Sequence, residues 1–218
     1  MKIYEAINTR HSVRSYSSKK ISGTVLADLS AEITACNKES GLHFQLVMND
    51  PGTFKGLMSR IGKFKGVNNY IALVGKNSAN LNELAGYYGE RIVLKAQQMG
   101  LNTCWVSTSY NKGKCAAEIG TDEKLVCVIA IGYGTTQGSP HKSKPMESLY
   151  QTDVTPPNWF LKGMEAVILA PSASNRQGFL FTLSNGLVSV EAKNGIDLGI
   201  VKYHFEIGAG KDNFSWAQ

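Results

Sequence analysis

The chain has 218 residues, of which 43% are hydrophobic, 18% are charged and 22 are glycine. This composition excludes a disordered or collagen-like chain. The length allows one large domain or two small ones. The formal net charge of +6 comes from 23 basic and 17 acidic residues, and no run of five Lys or Arg is present. We therefore expect no nucleic-acid partner. A phosphate-bearing ligand is compatible with this charge. No apolar run approaches the roughly 20 residues that span a bilayer, and the first residues lack a signal-peptide core; we therefore expect a cytoplasmic protein with no membrane partner.

The first half of the chain is predicted to alternate between helices and strands. A short N-terminal helix opens at Tyr4 and carries Arg10 and Arg14 at its end. Apolar residues at helical period predict an amphipathic helix over residues 25–36. The other elements predicted here are a strand over residues 43–48, a short helix within 53–66, a buried strand over 70–74, and a long helix over 81–99 that Gly100 ends.

The second half is predicted to contain two strands, a long connection and a helix followed by a hairpin. The connection over residues 135–157 is longer than most loops inside a domain, which is typical of a functional loop or a linker. Asn185-Gly186 is a strong signal for a hairpin turn. The predicted elements are strands over residues 101–107 and 125–131, a short helix over 111–119, a helix over 159–169, a polar loop over 172–177, hairpin strands over 179–183 and 187–191, a helix over 197–204, and a last strand over 205–208.

The motif Arg10-His11-Ser12-Val13-Arg14 is the first candidate for a binding function. On a helix, positions four apart share a face, so the two guanidinium groups would converge with a hydroxyl between them. Arginine presents a planar fork of donors that suits phosphate or carbonyl oxygens. The alternative is a solvated helix end with two surface arginines.

The four cysteines, at positions 36, 104, 115 and 127, show neither a Cys-x-x-Cys pair nor histidines at ligand spacing. This spacing excludes a zinc or redox motif, and we predict no metal site. Cys127 lies in the apolar run of residues 125–131 and is expected to pack in the core. Free thiols fit a reducing compartment.

Residues 26–50 and 161–185 show the same order of helix, polar loop, strand and turn without gaps. Ala31 corresponds to Ala166 and Phe44 to Phe179, while the chemistry of the loop differs. If this similarity is a true repeat, one chain imitates a two-fold dimer. Chance similarity of two helix-to-strand units is the alternative.

Taken together, these segments resemble the FMN-dependent nitroreductase family, and in particular a branch with a late Pro-Ser-x-x-Asn-x-Gln loop. The resemblance implies an α+β fold with a central, mostly antiparallel sheet flanked by helices. It is carried by Arg10-His11-Ser12-Val13-Arg14, by the long helix into Gly100-Leu101-Asn102-Thr103-Cys104-Trp105-Val106, by the buried strand into Ile131-Gly132-Tyr133, by Lys142-Ser143-Lys144, and by Ala170-Pro171-Ser172-Ala173-Ser174-Asn175-Arg176-Gln177.

The late position of the loop implies a fused pseudo-dimer. In an ordinary member of the family the loop follows the arginine motif and reaches the flavin of the partner subunit. Here residues 1–150 would form a first copy with the arginine motif and the central helix. Residues 151–218 would form a truncated second copy, intertwined with the first, that supplies the loop. One FMN per chain follows, and a monomer becomes possible while a further homodimer is not excluded.

Carried over residue by residue, the resemblance implies a set of FMN contacts and no metal. Lys144 stands where the family has arginine. Lysine keeps the positive charge but lacks the planar fork of donors of a guanidinium group. Gly178 stands where many members have proline. The implied contacts are Arg10, His11, Ser12 and Arg14, the backbone of Val106, Ser107 and Thr108, the side chains of Lys142 and Lys144, and Pro171, Ser172, Ala173, Asn175 and Gln177.

The resemblance also implies the reaction: NADH or NADPH donates a hydride to flavin N5, and the flavin then reduces a small-molecule acceptor such as a nitroaromatic, a quinone or an enone. Because the cofactor carries this chemistry, we nominate no catalytic side chain, and we expect His141 and His204 to be structural or solvated. The alternative is a flavin-binding protein without efficient turnover.

Overall fold

The computed structural model describes residues 1–217, which form two compact units. Unit 1 comprises Met1–Leu81 and Arg91–Pro140, and unit 2 comprises Asn82–Glu90 and the chain from His141 onwards. Neither unit is continuous in sequence, because one helix contributes its first part to unit 2 and the rest to unit 1. Among the described residues, no helix combines the length and the apolarity that crossing a membrane requires.

Unit 1 is built on a four-stranded sheet with the order β1-β2-β4-β3, in which every neighbouring pair is antiparallel. Nearly all of β2 and the end of β4 are buried, as expected from their continuous apolar runs. The elements are α1 (Ile3–Thr9), α2 (Gly23–Ser40), β1 (Gln45–Val47), α3 (Leu57–Ile61), β2 (Tyr70–Lys76), α4 (Leu81–Gln98, shared with unit 2), β3 (Asn102–Val106) and β4 (Glu123–Gly132).

Unit 2 contains a second four-stranded sheet, with the order β5-β6-β7-β8. The pair β6/β7 is an antiparallel hairpin, whereas β5 lies parallel to β6 and β8 lies parallel to β7. Asn185 and Gly186 both have positive φ, as the hairpin turn requires. The elements are β5 (Tyr150–Thr152), α5 (Asn158–Val167), β6 (Phe179–Ser184), β7 (Leu187–Ala192), α6 (Gly195–Ala209) and β8 (Ser215–Trp216).

The first part of α4 packs closely on α6 within unit 2. A Cβ atom at Gly199 would lie 1.9 Å from the backbone oxygen of Glu83, so only glycine allows this approach. His204 of α6 is fully buried and bonds through Nε2 to Glu90 Oε1 at 2.9 Å, while its Nδ1 donates to the carbonyl oxygen of Ala166 at 3.0 Å. This histidine therefore connects α4, α5 and α6.

The structure confirms the predicted fold class, a mixed α+β fold with an antiparallel sheet flanked by helices. The internal duplication, and with it the division into residues 1–150 and 151–218, stays a prediction, since the two compact units reflect spatial contacts and not sequence repeats.

Three predicted elements were wrong. The predicted strand over residues 205–208 is the end of α6. Phe205 and Gly208, three positions apart, are buried on one side of this helix, whereas the residues between them are half-buried, which is a helical and not an alternating pattern. The predicted helix over residues 111–119 is only a three-residue 3₁₀ turn, Lys112–Lys114, since the chain beyond it bonds to Tyr70 and Gln45 side chains. The N-terminal helix ends at Thr9, before the arginine motif.

Candidate functional site

The arginine motif is an extended segment of unit 1. At Arg10 the backbone leaves the helix with φ −71° and ψ 119°. Val13 N then donates to Thr103 O of β3 at 3.0 Å, and Lys65 N donates to Arg14 O at 2.9 Å. The prediction that the motif is helical was therefore wrong, because its backbone groups bond to the sheet edge and to residue 65, and because β-branched Val13 is buried.

The extended conformation still places the motif's polar side chains together. Alternate residues of an extended chain face the same side, which is the relation between Arg10, Ser12 and Arg14. All three act on the buried thiol of Cys104 in β3: burial raises the pKa of this thiol, whereas the charge of Arg14, a hydrogen bond from Ser12 and the charge of Arg10 lower it. The motif thus concentrates positive charge beside β3.

The two arginines differ in their surroundings. The residue Arg10 is only 4% exposed. Arg14 is exposed, and its guanidinium makes no hydrogen bond or ion pair with any residue of the described chain, 1–217. Its five N–H donors are therefore available to a ligand. His11 is half-buried and lies against Gly138.

The strand that borders the motif leads to the next group of predicted contacts. Val106 is the buried last residue of β3, and Ser107 and Thr108 follow it in an exposed loop. Unit 1 thus arranges the arginine motif and residues 106–108 along one strand, with the motif paired at Thr103.

In unit 2, the structure brings the basic segment and the Pro-Ser-x-x-Asn-x-Gln loop together. Lys144 N donates to Gln177 Oε1 at 2.7 Å, and Lys144 Nζ donates to Gln177 O at 3.0 Å. Asn175 Nδ2 donates to Lys142 O at 2.9 Å. The side chain of Gln177 is buried and holds the loop, whereas Lys142 and residues 173–175 are exposed.

The loop has an unusual backbone. Ser174, Asn175 and Gln177 have φ values of 52°, 54° and 44°, in the left-handed region that costs energy for residues other than glycine. Ser172 counters this cost, since its hydroxyl accepts from Gln177 N at 3.0 Å and its carbonyl accepts from Asn175 N at 2.9 Å. Strain of this kind is concentrated at functional sites.

Sequence reasoning missed Asp197, which positions the loop from α6. Its two carboxylate oxygens accept from Ala173 N at 3.1 and 3.2 Å. Burial raises the pKa of Asp197, and hydrogen bonds from Asn194 and Ala173 N oppose the rise. The signal was Asn194-x-x-Asp197, an N-terminal cap in which Asn194 Oδ1 accepts from Asp197 N at 2.9 Å. That pattern predicts where α6 begins, but it does not predict the contact with the loop.

A second group that sequence reasoning missed surrounds the carbonyl oxygen of Ile168, just beyond α5. It accepts from His141 Nε2 at 3.0 Å, from Ser143 Oγ at 2.9 Å and from Gln177 Nε2 at 3.2 Å. These three donors attach residues 141–144 and the loop to the end of one helix. His141 therefore has a structural role here.

Gly178, where the sequence departs from the family pattern, immediately precedes the first residue of β6. A Cβ atom at this position would lie 3.2 Å from the side chain of Lys193, and φ is not positive. A larger residue here would therefore have to displace the flexible end of Lys193.

The family model described as "Putative TM nitroreductase" matches residues 2–209. No curated protein sequence matches the chain. Among solved structures, one described as a putative nitroreductase from Thermotoga maritima is 26% identical, with a TM-score of 0.70, over 97% of this chain and 85% of that chain.

Two further structures show the same fold at lower identity. One, described as a putative nitroreductase in complex with FMN from Desulfovibrio desulfuricans, is 19% identical, with a TM-score of 0.56, over 72% of this chain and 99% of that chain. The other, also described as a putative nitroreductase in complex with FMN, from Exiguobacterium sibiricum, is 16% identical, with a TM-score of 0.51, over 68% of this chain and 95% of that chain.

Proposed function

Because the chain belongs to the nitroreductase family whose model matches residues 2–209, we propose that it is an FMN-dependent oxidoreductase. The family membership supports oxidoreductase chemistry. Two structures of the same fold are described as complexes with FMN, which supports this choice of cofactor. The observation that carries the proposal in this chain is the cluster of Arg10, Ser12 and Arg14 beside β3.

The residues of unit 1 fit one part of a flavin. Arg14 offers an exposed fork of donors without a partner in residues 1–217, and Ser12, two residues earlier in the same extended segment, is also exposed. Such a set suits a phosphate or the carbonyl edge of a pyrimidine ring. FMN, when bound, supplies an N5 atom that accepts and donates a hydride. The fixed positive charges of Arg10 and Arg14 would stabilise negative charge on a reduced cofactor.

The residues of unit 2 form a separate set of proposed FMN contacts. Lys142 has an exposed ammonium group suited to a phosphate, and the exposed residues 173–175 include the polar side chains of Ser174 and Asn175. Lys144 already donates one hydrogen bond to Gln177 O, and it retains two further N–H donors. Gln177 is buried, so its role in this proposal is to hold the loop rather than to face a ligand.

The electron donor and the acceptor are the finer part of the proposal. NADH or NADPH would reduce the cofactor, and a nitroaromatic, a quinone or an enone would accept the electrons. A flavin-binding protein without efficient turnover is the competing function. An absorbance spectrum before and after anaerobic NADH or NADPH separates the two, because bleaching requires electron transfer to the bound flavin.

Substitution of the arginines tests the cofactor site. Arg10→Ala/Arg14→Ala is expected to weaken FMN binding by about 1.5–3 kcal/mol for each charged hydrogen bond lost. Arg60→Ala is the matched control, since Arg60 is an exposed arginine of α3 outside the motif. Flavin content per chain after gel filtration is the measurement, with one FMN per chain expected for the unsubstituted protein. Equal flavin content in the double variant and the control would contradict the proposal.

A further inference from the structure

The sequence contains two Asn-Gly pairs, Asn185-Gly186 and Asn194-Gly195, and both lie in unit 2. Such a pair can react with water without an enzyme. The backbone nitrogen of the glycine attacks the side-chain Cγ of the asparagine, the new C–N bond closes a cyclic imide, and ammonia leaves with the backbone proton. Water then opens the imide at one carbonyl to give aspartate, or at the other to give isoaspartate. Glycine favours the attack because it has no side chain to obstruct it.

The first pair is free to reach the geometry of this attack. Asn185 and Gly186 form the exposed turn of the β6/β7 hairpin, with φ values of 51° and 76°. A Cβ atom at Gly186 would have no atom within 4 Å. In the described part of the chain the Asn185 side chain makes one hydrogen bond, from Nδ2 to Ser184 Oγ at 3.4 Å, which is long for an N–H···O bond. Only the tip of the hairpin therefore has to open.

The second pair is held in place. Asn194 is the N-terminal cap of α6, and its Oδ1 accepts from Asp197 N at 2.9 Å. A Cβ atom at Gly195 would lie 2.8 Å from the Cβ of Asn82, so this glycine is closely packed. Attack here requires the cap bond to break and the first turn of α6 to open, which loses the stabilisation that the cap provides. The same two-residue sequence is thus mobile at one place and fixed at the other.

We propose that Asn185 is a site of spontaneous deamidation, whereas the fold protects Asn194. Isoaspartate adds one carbon to the backbone of a two-residue turn that joins the paired residues Ser184 and Leu187, and the number of backbone atoms in such a turn is fixed by its type. Either product also places a carboxylate next to Ser184 Oγ, which already donates to Asp153 Oδ2 at 2.7 Å. Because two like charges then share one hydroxyl, the modified protein should melt at a lower temperature. This proposal does not depend on the FMN function.

Incubation of the folded protein in a mildly alkaline buffer, followed by trypsin digestion and mass spectrometry, tests the proposal. Trypsin separates the two pairs into peptides of residues 177–193 and 194–202, each of which contains one asparagine. Peptide 177–193 should gain the mass of an amide-to-acid conversion at least about tenfold faster, because the cap must open first in the other. A digest of unincubated protein is subtracted. The control is the protein unfolded in guanidinium chloride, in which both pairs should react at similar rates.

Three results would overturn the proposal. The first is an equal or faster reaction of Asn194 in the folded protein. The second is an Asn185 that reacts only in the unfolded protein. The third concerns Asn185→Gln, which should lose the isoaspartate detected with an isoaspartyl methyltransferase, since glutamine closes the larger ring much more slowly; unchanged labelling of this variant would contradict the assignment. If Asn185→Gln does not fold in a thermal melt, the two peptides of the unsubstituted protein decide.

Discussion

Gln177→Ala tests whether one buried side chain holds the loop of unit 2. The side chain of Gln177 accepts from Lys144 N at 2.7 Å and donates to Ile168 O at 3.2 Å. Each bond contributes about 0.5–1.5 kcal/mol net. Ile168 O keeps its donors from His141 and Ser143, so no buried carbonyl loses every partner. We therefore expect the free energy of unfolding to fall by about 1–3 kcal/mol.

The assay is urea unfolding followed by tryptophan fluorescence, since Trp159 and Trp216 lie in unit 2. Gln177→Gly loses the same bonds but suits the positive φ at this position, so it should be about 1 kcal/mol more stable than Gln177→Ala. Gln151→Ala is the matched control, because Gln151 is exposed and makes one side-chain bond to Thr182.

The control should change stability by less than about 0.5 kcal/mol. If Gln177→Ala is as stable as the unsubstituted protein, or if Gln151→Ala costs as much, the loop is held by other contacts and the reasoning fails. A fall in the slope of the unfolding curve, rather than in its midpoint, would also refute it, because that result indicates a change in cooperativity.

Two further predictions concern α6. Burial raises the pKa of Asp197 in the folded protein, so the contribution of this group to stability is fully present below the usual aspartate pKa of about 4 and is lost as the pH rises through the folded pKa. The difference in unfolding free energy between the unsubstituted protein and Asp197→Asn should therefore shrink with rising pH. A constant difference from pH 3 to about 8 would contradict this prediction. Gly199→Ala should cost about 1–3 kcal/mol or more, because the added Cβ would lie 1.9 Å from Glu83 O. Gly113→Ala, with no atom closer than 3.6 Å, should be neutral when the two variants are compared with the unsubstituted protein by urea unfolding.

Elements that depend on local chemistry could be predicted from the sequence. Continuous apolar runs predicted β2 and β4, and Asn185-Gly186 predicted the β6/β7 hairpin. Gly100, which has a φ of 78°, marks the end of α4 as expected of a helix stop. In each case one short stretch of chain contains the whole signal.

Elements decided by distant contacts could not be predicted. The arginine motif has no local helix breaker, and it is extended because Val13 bonds to Thr103, far along the chain. Residues 205–208 look like a strand in isolation, but close packing of glycines in α6 favours a helix there. Tertiary contacts override local preference in both places.

The same division applies to the candidate site. The resemblance to the nitroreductase family identified residues of the motif and of the loop as candidate FMN contacts, and these contacts stay predictions. The supports of the loop, Asp197 and the carbonyl of Ile168, come from segments whose sequence gives no sign of the contact. Hydrogen bonds between distant segments have no local pattern, so only the structure could identify them.

The division of α4 between the two units has a consequence for how the protein is made. Residues 91–140 of unit 1 are synthesised between the two parts of unit 2. Glu83 and Glu90 are therefore synthesised well before Lys202 and His204, with which they respectively bond in the folded protein. Domains usually complete their folding during synthesis from the N-terminus. Unit 2 can do so only after His204 has left the ribosome, so a stop codon at or before Lys202 deprives both Glu83 and Glu90 of these partners.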